Sequence, residues 1–373
     1  MLGFALTRTG EPVRSATPGH AADGNSGALL DDVRSRLESD YYRLINPAIL
    51  REHSVDRMIA RLHDPHTEYL TPAEFEALEE RTEGKYSGIG LTVGPADNGL
   101  VVTSAFDGPA FEAGIRKGDV ILRIDGEPAG RMPFERSLAL IKGEKGTIVH
   151  LTVRRPHAGT IEFQVVRREI DVPAVEARLL RVDKRKLAYI RVFSFPDGTG
   201  EHLARVTSRL VDRGARGAVI DLRDNPGGLL AQAVATVSVY LKRGTVCTTD
   251  GVHQEPRTYS VSGTSTHPDL PLVVLVNGGS ASAAEIVSAA LAENGRATLV
   301  GDRTFGKASV QSIEPLATGG ALKLTTAKYL TPNGVDISEH ALRPKRKALD
   351  DPLTRPDEAL AVARKALLEL LAG

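Results

Sequence analysis

A single cysteine, Cys247, excludes an intrachain disulfide and leaves the redox compartment open. Net charge is absent as well. Lys and Arg number 47 against 47 Asp and Glu, so nothing draws the chain generally toward nucleic acid or an anionic membrane surface. There is no long apolar run near the start. Only Leu2 to Leu6 is apolar before Arg8, too short for a secretory core or a transmembrane helix. Gly, Ser, Pro and charged residues fill out the rest of residues 1–27, which read as a disordered leader. No internal repeat is visible. No Gly-Lys-Ser/Thr follows a glycine turn, which excludes a phosphate loop, and no Gly-x-Ser-x-Gly frame marks a Ser-His-Asp hydrolase. His63 and His66 lie in one turn without a further Cys or His cluster. They read as helix-ending turn residues, so neither a metal nor a cofactor is expected.

What is present concentrates in two short stretches. Residues 271–276 form a β-prone apolar run, and residues 283–291 carry Ala, Ile, Val and Leu at helical spacing. Between them stands Asn277-Gly278-Gly279-Ser280-Ala281-Ser282, which puts Ser282 where a buried strand turns into a helix. The small residues allow a sharp turn and leave room for a carbonyl beside the hydroxyl. The helix start supplies unpaired N–H groups that favour developing negative charge. Ser282 and Glu285 also satisfy the pattern of a capping box, in which both side chains only serve the helix end.

The second stretch is Thr304-Phe305-Gly306-Lys307-Ala308-Ser309-Val310-Gln311. A serine hydroxyl needs a base, and a lysine can act as one only when neutral. From an ordinary pKa near 10.4, this requires a depression of roughly three units, about 4 kcal/mol against the ammonium. Burial supplies such a cost, and Phe305, Val310 and Ile313 flank the lysine in sequence. Gln311, four residues on, shares a face with Lys307 and can hold the amine without adding charge.

With these two elements 25 positions apart from Ser282 to Lys307, the chain resembles the carboxyl-terminal processing peptidases, the PDZ-containing tail-specific serine proteases. The resemblance implies Ser282 as nucleophile, Lys307 as general base and Gln311 as the residue orienting it, with Ser280 the competing serine. Ala308 stands where the family commonly has glycine. A third element, Arg223-Asp224-Asn225-Pro226-Gly227-Gly228, resembles the family's oxyanion turn. It implies Gly228 and Ala283 as the donors, Gly227 being a near alternative. Each such donor is typically worth about 3 kcal/mol.

Residues 86–168 read as short β runs at 88–93, 100–103, 119–124 and 147–153, with a helix at 133–141. Ala113-Gly114-Ile115, Gly118-Asp119 and Asp125-Gly126 give this stretch the look of a PDZ domain. Its carboxylate-binding loop is then Gly88, Ile89, Gly90 and Leu91, which would hold a substrate's terminal carboxylate while the tail adds a strand. Residues 28–85 read as an N-terminal helical segment, whose amphipathic stretches from Leu29 to Arg61 end in Leu62-His63-Asp64-Pro65-His66-Thr67-Glu68-Tyr69-Leu70, similar to a family element. Residues 169–373 alternate strand and helix, which implies an α/β core with a mostly parallel sheet and covering helices. The resemblance makes that core ClpP/crotonase-like, and a final helix opens at Pro356-Asp357. Residues 250–269 read as a surface hairpin or loop, and Lys345 to Lys347 as a solvated loop that departs from the family's Pro-Asp.

The expected function is a serine endopeptidase cutting protein substrates near their C-termini. Its partners would be proteins or peptides with apolar C-terminal tails and no nucleic acid, while a homo-oligomer and a regulatory partner both remain open. The alternatives are a catalytically silent PDZ scaffold and a crotonase-like enzyme acting on acyl thioesters; the latter does not account for residues 86–168. The family works mostly outside the cytoplasm, yet no signal peptide or membrane span is visible in the chain.

Overall fold

The computed structural model describes residues 5–8, 25–105, 108–182, 184–349 and 357–372. The chain divides into two compact units: Met1–Glu83 with Ala174–Gly373, and Gly84–Pro173.

The larger unit is built on two sheets. A six-stranded sheet runs in the order Val175–Val182, Arg185–Val192, Ala215–Asp221, Leu272–Val276, Thr298–Gly301, Arg346–Lys347. Its first pairing is antiparallel and the rest are parallel. Its central strands are apolar throughout because both faces are covered. Ala218, Ile220 and Val274 pack with Leu203, Val237 and Ile286 of the helices Thr199–Asp212, Leu230–Tyr240 and Ala283–Glu293. Val219, Val273 and Leu275, pointing the other way, pack with Ala363 and Leu367 of the closing helix Glu358–Leu370. The basic run is not wholly a loop, since Arg346–Lys347 pairs with Val300 and Gly301 and extends this sheet.

The second sheet is one that the strand–helix rhythm did not announce. Its order is Gly228–Leu229, Ala5–Arg8, Ser309–Pro315, Ala321–Leu330, Thr245–Gly251, Gln254–Ser260, with Glu68–Leu70 pairing to Ala321–Leu330. Among the described residues, only the two pairings made by Ala5–Arg8 are parallel; the others are antiparallel. Taken over the whole unit, the sheet structure is therefore mixed. At Ala5–Arg8 the expectation of a disordered leader gives way to a paired strand; the remainder of that leader up to residue 24 lies outside the described residues. The helical segment after it is not separate from the core. Val33, Leu37, Met58 and Leu62 bury against Leu316, Leu322 and Leu324 of the second sheet.

The smaller unit is a sheet in the order Leu91–Ala96, Gly99–Ala105, Val120–Ile124, Ile148–Arg155, Gly159–Val166, with helices Pro109–Ala113 and Phe134–Ile141. The run expected at 88–93 is broken. Lys85–Gly88 pairs instead with Arg168–Asp171, and Gly90 turns the chain at φ 79° before Leu91–Ala96 begins. Leu91–Ala96 is an edge strand of its sheet, with one side unpaired among the described residues.

Close backbone approach fixes one glycine in the parallel sheet. Gly301 has φ 126°, and a Cβ there would lie 1.9 Å from the carbonyl oxygen of Val276. Gly301→Ala should therefore destabilise the chain by on the order of 3 kcal/mol, a displaced strand added to a strained backbone. A urea midpoint unchanged from wild type would contradict this packing.

Candidate active site

Ser282 sits between the strand Leu272–Val276 and the helix Ala283–Glu293, as the N-cap of that helix. Its backbone has φ 55° and ψ −116°, a sparsely populated conformation for a side-chain-bearing residue. Such strain costs on the order of 1–3 kcal/mol and persists only where the surroundings impose it. The Ser282 hydroxyl is buried and, among the described residues, has no hydrogen-bond partner. Ser280, by contrast, is committed to the backbone. Its hydroxyl donates to Leu222 O at 2.7 Å and accepts from Asn277 N at 3.0 Å.

Glu285 organises this corner. Its carboxylate is buried and accepts from Ser282 N (2.9 Å), Lys307 N (2.9 Å), Gly306 N (2.8 Å) and the Thr304 hydroxyl. Burial raises its pKa although those bonds favour the anion. One side chain thus ties the serine turn to the lysine turn. Tyr329 repeats the tie from the other sheet, its hydroxyl lying 2.7 Å from Lys307 O and 3.3 Å from Ser282 O. The capping-box pattern was legible in sequence; its reach to residues 304–307 was not.

Lys307 is 2 % exposed and donates from Nζ to Gln311 Oε1 at 3.0 Å. Burial above all, with the charge of Lys323, lowers its pKa from the ordinary 10.5 to about 7, against the opposing pull of Asp64, Glu68 and Glu285. Phe305 contributes little to that burial, being half exposed, whereas Val310 is buried. Gln311 is fully buried, and a register shift in the pairing with Ala321–Leu330 falls between Val310 and Gln311.

Beyond Gln311 the contacts lead into the N-terminal segment. Gln311 Nε2 donates to Thr325 Oγ1 at 3.4 Å, Thr67 Oγ1 lies 3.3 Å from Thr325 Oγ1, and Thr67 donates to Asp64 at 2.8 Å. His66, in a turn as expected, belongs to the same neighbourhood. Burial, with the charge of Lys307, pushes its pKa down to about 4. The sequence reading missed this group, although the Asp64-Pro65-His66-Thr67 element was the signal that could have found it.

The glycine turn lies beside the serine. Asn225, fully buried, holds it: its amide donates to Val192 O at 2.8 Å and its Oδ1 accepts from Gly227 N at 2.8 Å, so Gly227 is already engaged. Ala281 N donates to Asn225 O at 2.9 Å and couples the two turns. Gly228 has φ 149°, and a Cβ there would lie 2.4 Å from Phe195 O. Ala283 is the first residue of the helix, where N–H groups lack intrahelical partners. In the smaller unit, Gly88, Ile89 and Gly90 are buried and Leu91 half-buried at the start of the edge strand.

With this geometry in view, the relatives are informative. Peptidase family S41 matches residues 186–347, and the PDZ domain matches residues 77–154. A carboxy-terminal-processing protease of Bartonella bacilliformis is 34 % identical over 85 % of this chain and 74 % of its own length. The chain belongs to this family of proteases. The carboxy-terminal processing protease CtpA of Bacillus subtilis is 32 % identical over 86 % of this chain and 68 % of its own length. Among solved structures, a photosystem II D1 C-terminal processing protease matches with TM-score 0.56 and 28 % identity, covering 91 % of this chain and 96 % of that one. The protein is thus a carboxy-terminal processing serine protease with a PDZ domain.

The lowered lysine pKa has a consequence for stability. Between about pH 7 and 10.5 the unfolded chain holds a proton that folded Lys307 has released, so this residue makes stability rise with pH across that window. Below it the whole cost is present. A fall from 10.5 to about 7, at about 1.4 kcal/mol per pH unit, amounts to about 5 kcal/mol. Lys307→Met should therefore be more stable than wild type at pH 6, with the gap closing toward pH 10.5. Urea titrations at the two pH values read this directly; a variant less stable at both would show that Lys307 is not held against its charge.

Proposed function

We propose that proteolysis proceeds through a dyad in which Ser282 attacks the scissile carbonyl and Lys307 takes its proton, then returns it to the leaving amine. The observation that carries this reading is the pairing of a strained, buried serine with a buried lysine whose pKa lies near 7, both anchored to Glu285. Gln311 orients the amine through its carbonyl oxygen. Gly228 and Ala283 supply the oxyanion donors; the engagement of Gly227 N with Asn225 favours Gly228 over its neighbour. His66 is the rival base within reach of the lysine's field, and its low pKa makes it a weak one. The parallel run of the first sheet supports reading the core as ClpP/crotonase-like. Domain bounds of 86–168 for the PDZ module and 169–373 for the protease core remain our assignment.

Ser282→Ala and Lys307→Ala should each abolish cleavage of an unfolded protein while circular dichroism stays native. Gln311→Ala should lose on the order of tenfold, a misplaced base being less costly than a missing one. Wild-type activity should climb with pH through about 7 as Lys307 sheds its proton. Full turnover in Lys307→Ala at neutral pH would replace the dyad with a histidine mechanism, and inactivity of the wild type on every substrate would leave the silent scaffold.

For the PDZ module we propose that Gly88, Ile89, Gly90 and Leu91 hold the free carboxylate of an apolar substrate tail, while the tail pairs along Leu91–Ala96. The unpaired side of that edge strand supports the reading. Amidating the tail should slow cleavage of a tail-bearing protein, and should matter little in a variant lacking residues 86–168. Equal rates for acid and amide in the wild type would make the domain a spacer.

A further inference from the structure

Two strands that carry the proposed chemistry face each other across a gap of one strand. Gly228–Leu229 holds the proposed oxyanion donor, and Ser309–Pro315 starts two residues after Lys307 and contains Gln311. The two do not pair with each other. Each pairs in parallel with Ala5–Arg8, which lies between them: Ala5 stands opposite Gly228 on one side and Val310 on the other, and Leu6 opposite Leu229 and Gln311. Neighbouring strands lie about 4.8 Å apart, so the gap takes a single extended backbone and no more.

We propose that this slot is the seat of the substrate's extended backbone, and that Ala5–Arg8 of the chain itself occupies it in competition with substrate. The inference rests on the assignment of Ser282 and Gly228 above. A carbonyl positioned for attack must come to the Gly228 amide; Phe195 pairs with Gly228 on one side, and the backbone facing Gly228 on the other is that of Ala5. Ser282 and Gln311 are fully buried and Lys307 nearly so, which leaves an incoming chain no approach unless something gives way. The pairing with Gly228–Leu229 spans two residues and that with Ser309–Pro315 four, a short hold that another strand can replace. Recognition by main-chain hydrogen bonds makes the slot tolerant of sequence, the behaviour expected of a processing enzyme's cleft and of a cleft that accepts its own chain. An unoccupied slot would leave the edge of Ser309–Pro315 unpaired, so an occupant in cis also protects that edge.

The test compares the full chain with two variants, Leu6→Pro, which removes one ladder N–H, and a deletion of residues 1–8. An internally quenched peptide with an apolar free C-terminus serves as substrate. Both variants should show KM lowered by about tenfold with kcat little changed, as expected when the competent state is otherwise about one part in ten. A synthetic peptide of residues 1–10 should restore the higher KM competitively in the deletion variant. Binding is also read without turnover, as anisotropy of the labelled 1–10 peptide on the deletion variant carrying Ser282→Ala. Unchanged KM in both variants, loss of activity in both, or a peptide that neither competes nor binds would each overturn the proposal. Persistent cleavage by Ser282→Ala in the full chain would instead overturn the dyad, and the anisotropy would still report on the slot.

Discussion

The buried carboxylate of Glu285 is the constraint on which the rest of the site depends. It accepts four hydrogen bonds, from the serine turn on one side and from residues 304–307 on the other. An ionised carboxylate offers about that many acceptor positions, so its capacity is filled by protein donors alone. The cost of burying the charge is met only while all those donors stay in place. The Ser282 backbone conformation and the location of Lys307 are therefore not independent features. Shift either turn and a buried anion loses a partner. Tyr329 closes the same loop through the carbonyls of Ser282 and Lys307, joining the strand Ala321–Leu330 of the second sheet to the helix that packs on the first.

That coupling explains how one buried carboxylate can hold both a strained serine turn and a lysine whose pKa is lowered. Both are unfavourable locally, one in backbone conformation and the other in solvation. Fixed hydrogen bonds from a rigid frame offset such costs more effectively than mobile ones, since no ordering is lost at the moment of reaction. The surroundings of Lys307 are balanced rather than simply apolar: Lys323 pushes its pKa down, while Asp64, Glu68 and Glu285 oppose. Burial decides the direction. A lysine poised near neutrality in this way can both accept and return a proton, whereas one at its ordinary value would be locked as a cation.

How much of this the sequence disclosed depends on how far apart the contributing residues lie. The serine turn was legible because everything that defines it is local: an apolar strand, small residues, then a helix. The Lys307 to Gln311 pairing was legible for the same reason, within four residues. The assignment of Phe305 to the lysine's apolar cover failed, because Phe305 lies in the irregular segment before Ser309–Pro315, where neighbours in sequence need not share a side, and is itself half exposed. The extension of the site through Thr325 to Thr67 spans 258 residues of sequence, a distance over which no periodicity speaks. The second sheet escaped the strand–helix rhythm since its strands come from residues 5–8, 68–70, 228–229, 245–260 and 309–330, interrupted by strands of the first sheet and joined only by folding. The basic run from Lys345 looked solvated, and Lys347 is exposed, but backbone pairing to Gly301 is indifferent to the charge carried outward.

The serine and lysine turns lead into two different sheets, and for the dyad proposed above this has a mechanistic consequence. Ser282 and Asn225 follow strands of the parallel sheet, where the ends of neighbouring strands bring turns together. Lys307 and Gln311 lead into the second sheet, where Ser309–Pro315 pairs with Ala5–Arg8 on one side and Ala321–Leu330 on the other. In the reading proposed above, the slot between Gly228–Leu229 and Ser309–Pro315 combines two requirements in one place: donors for a developing oxyanion and a ladder of main-chain partners for an extended peptide. The same ladder cannot distinguish a substrate backbone from one of the chain's own, because the groups it reads are common to both. On that reading selectivity must come from outside the slot, and the tail binding proposed for the edge strand Leu91–Ala96 would be the second main-chain reading.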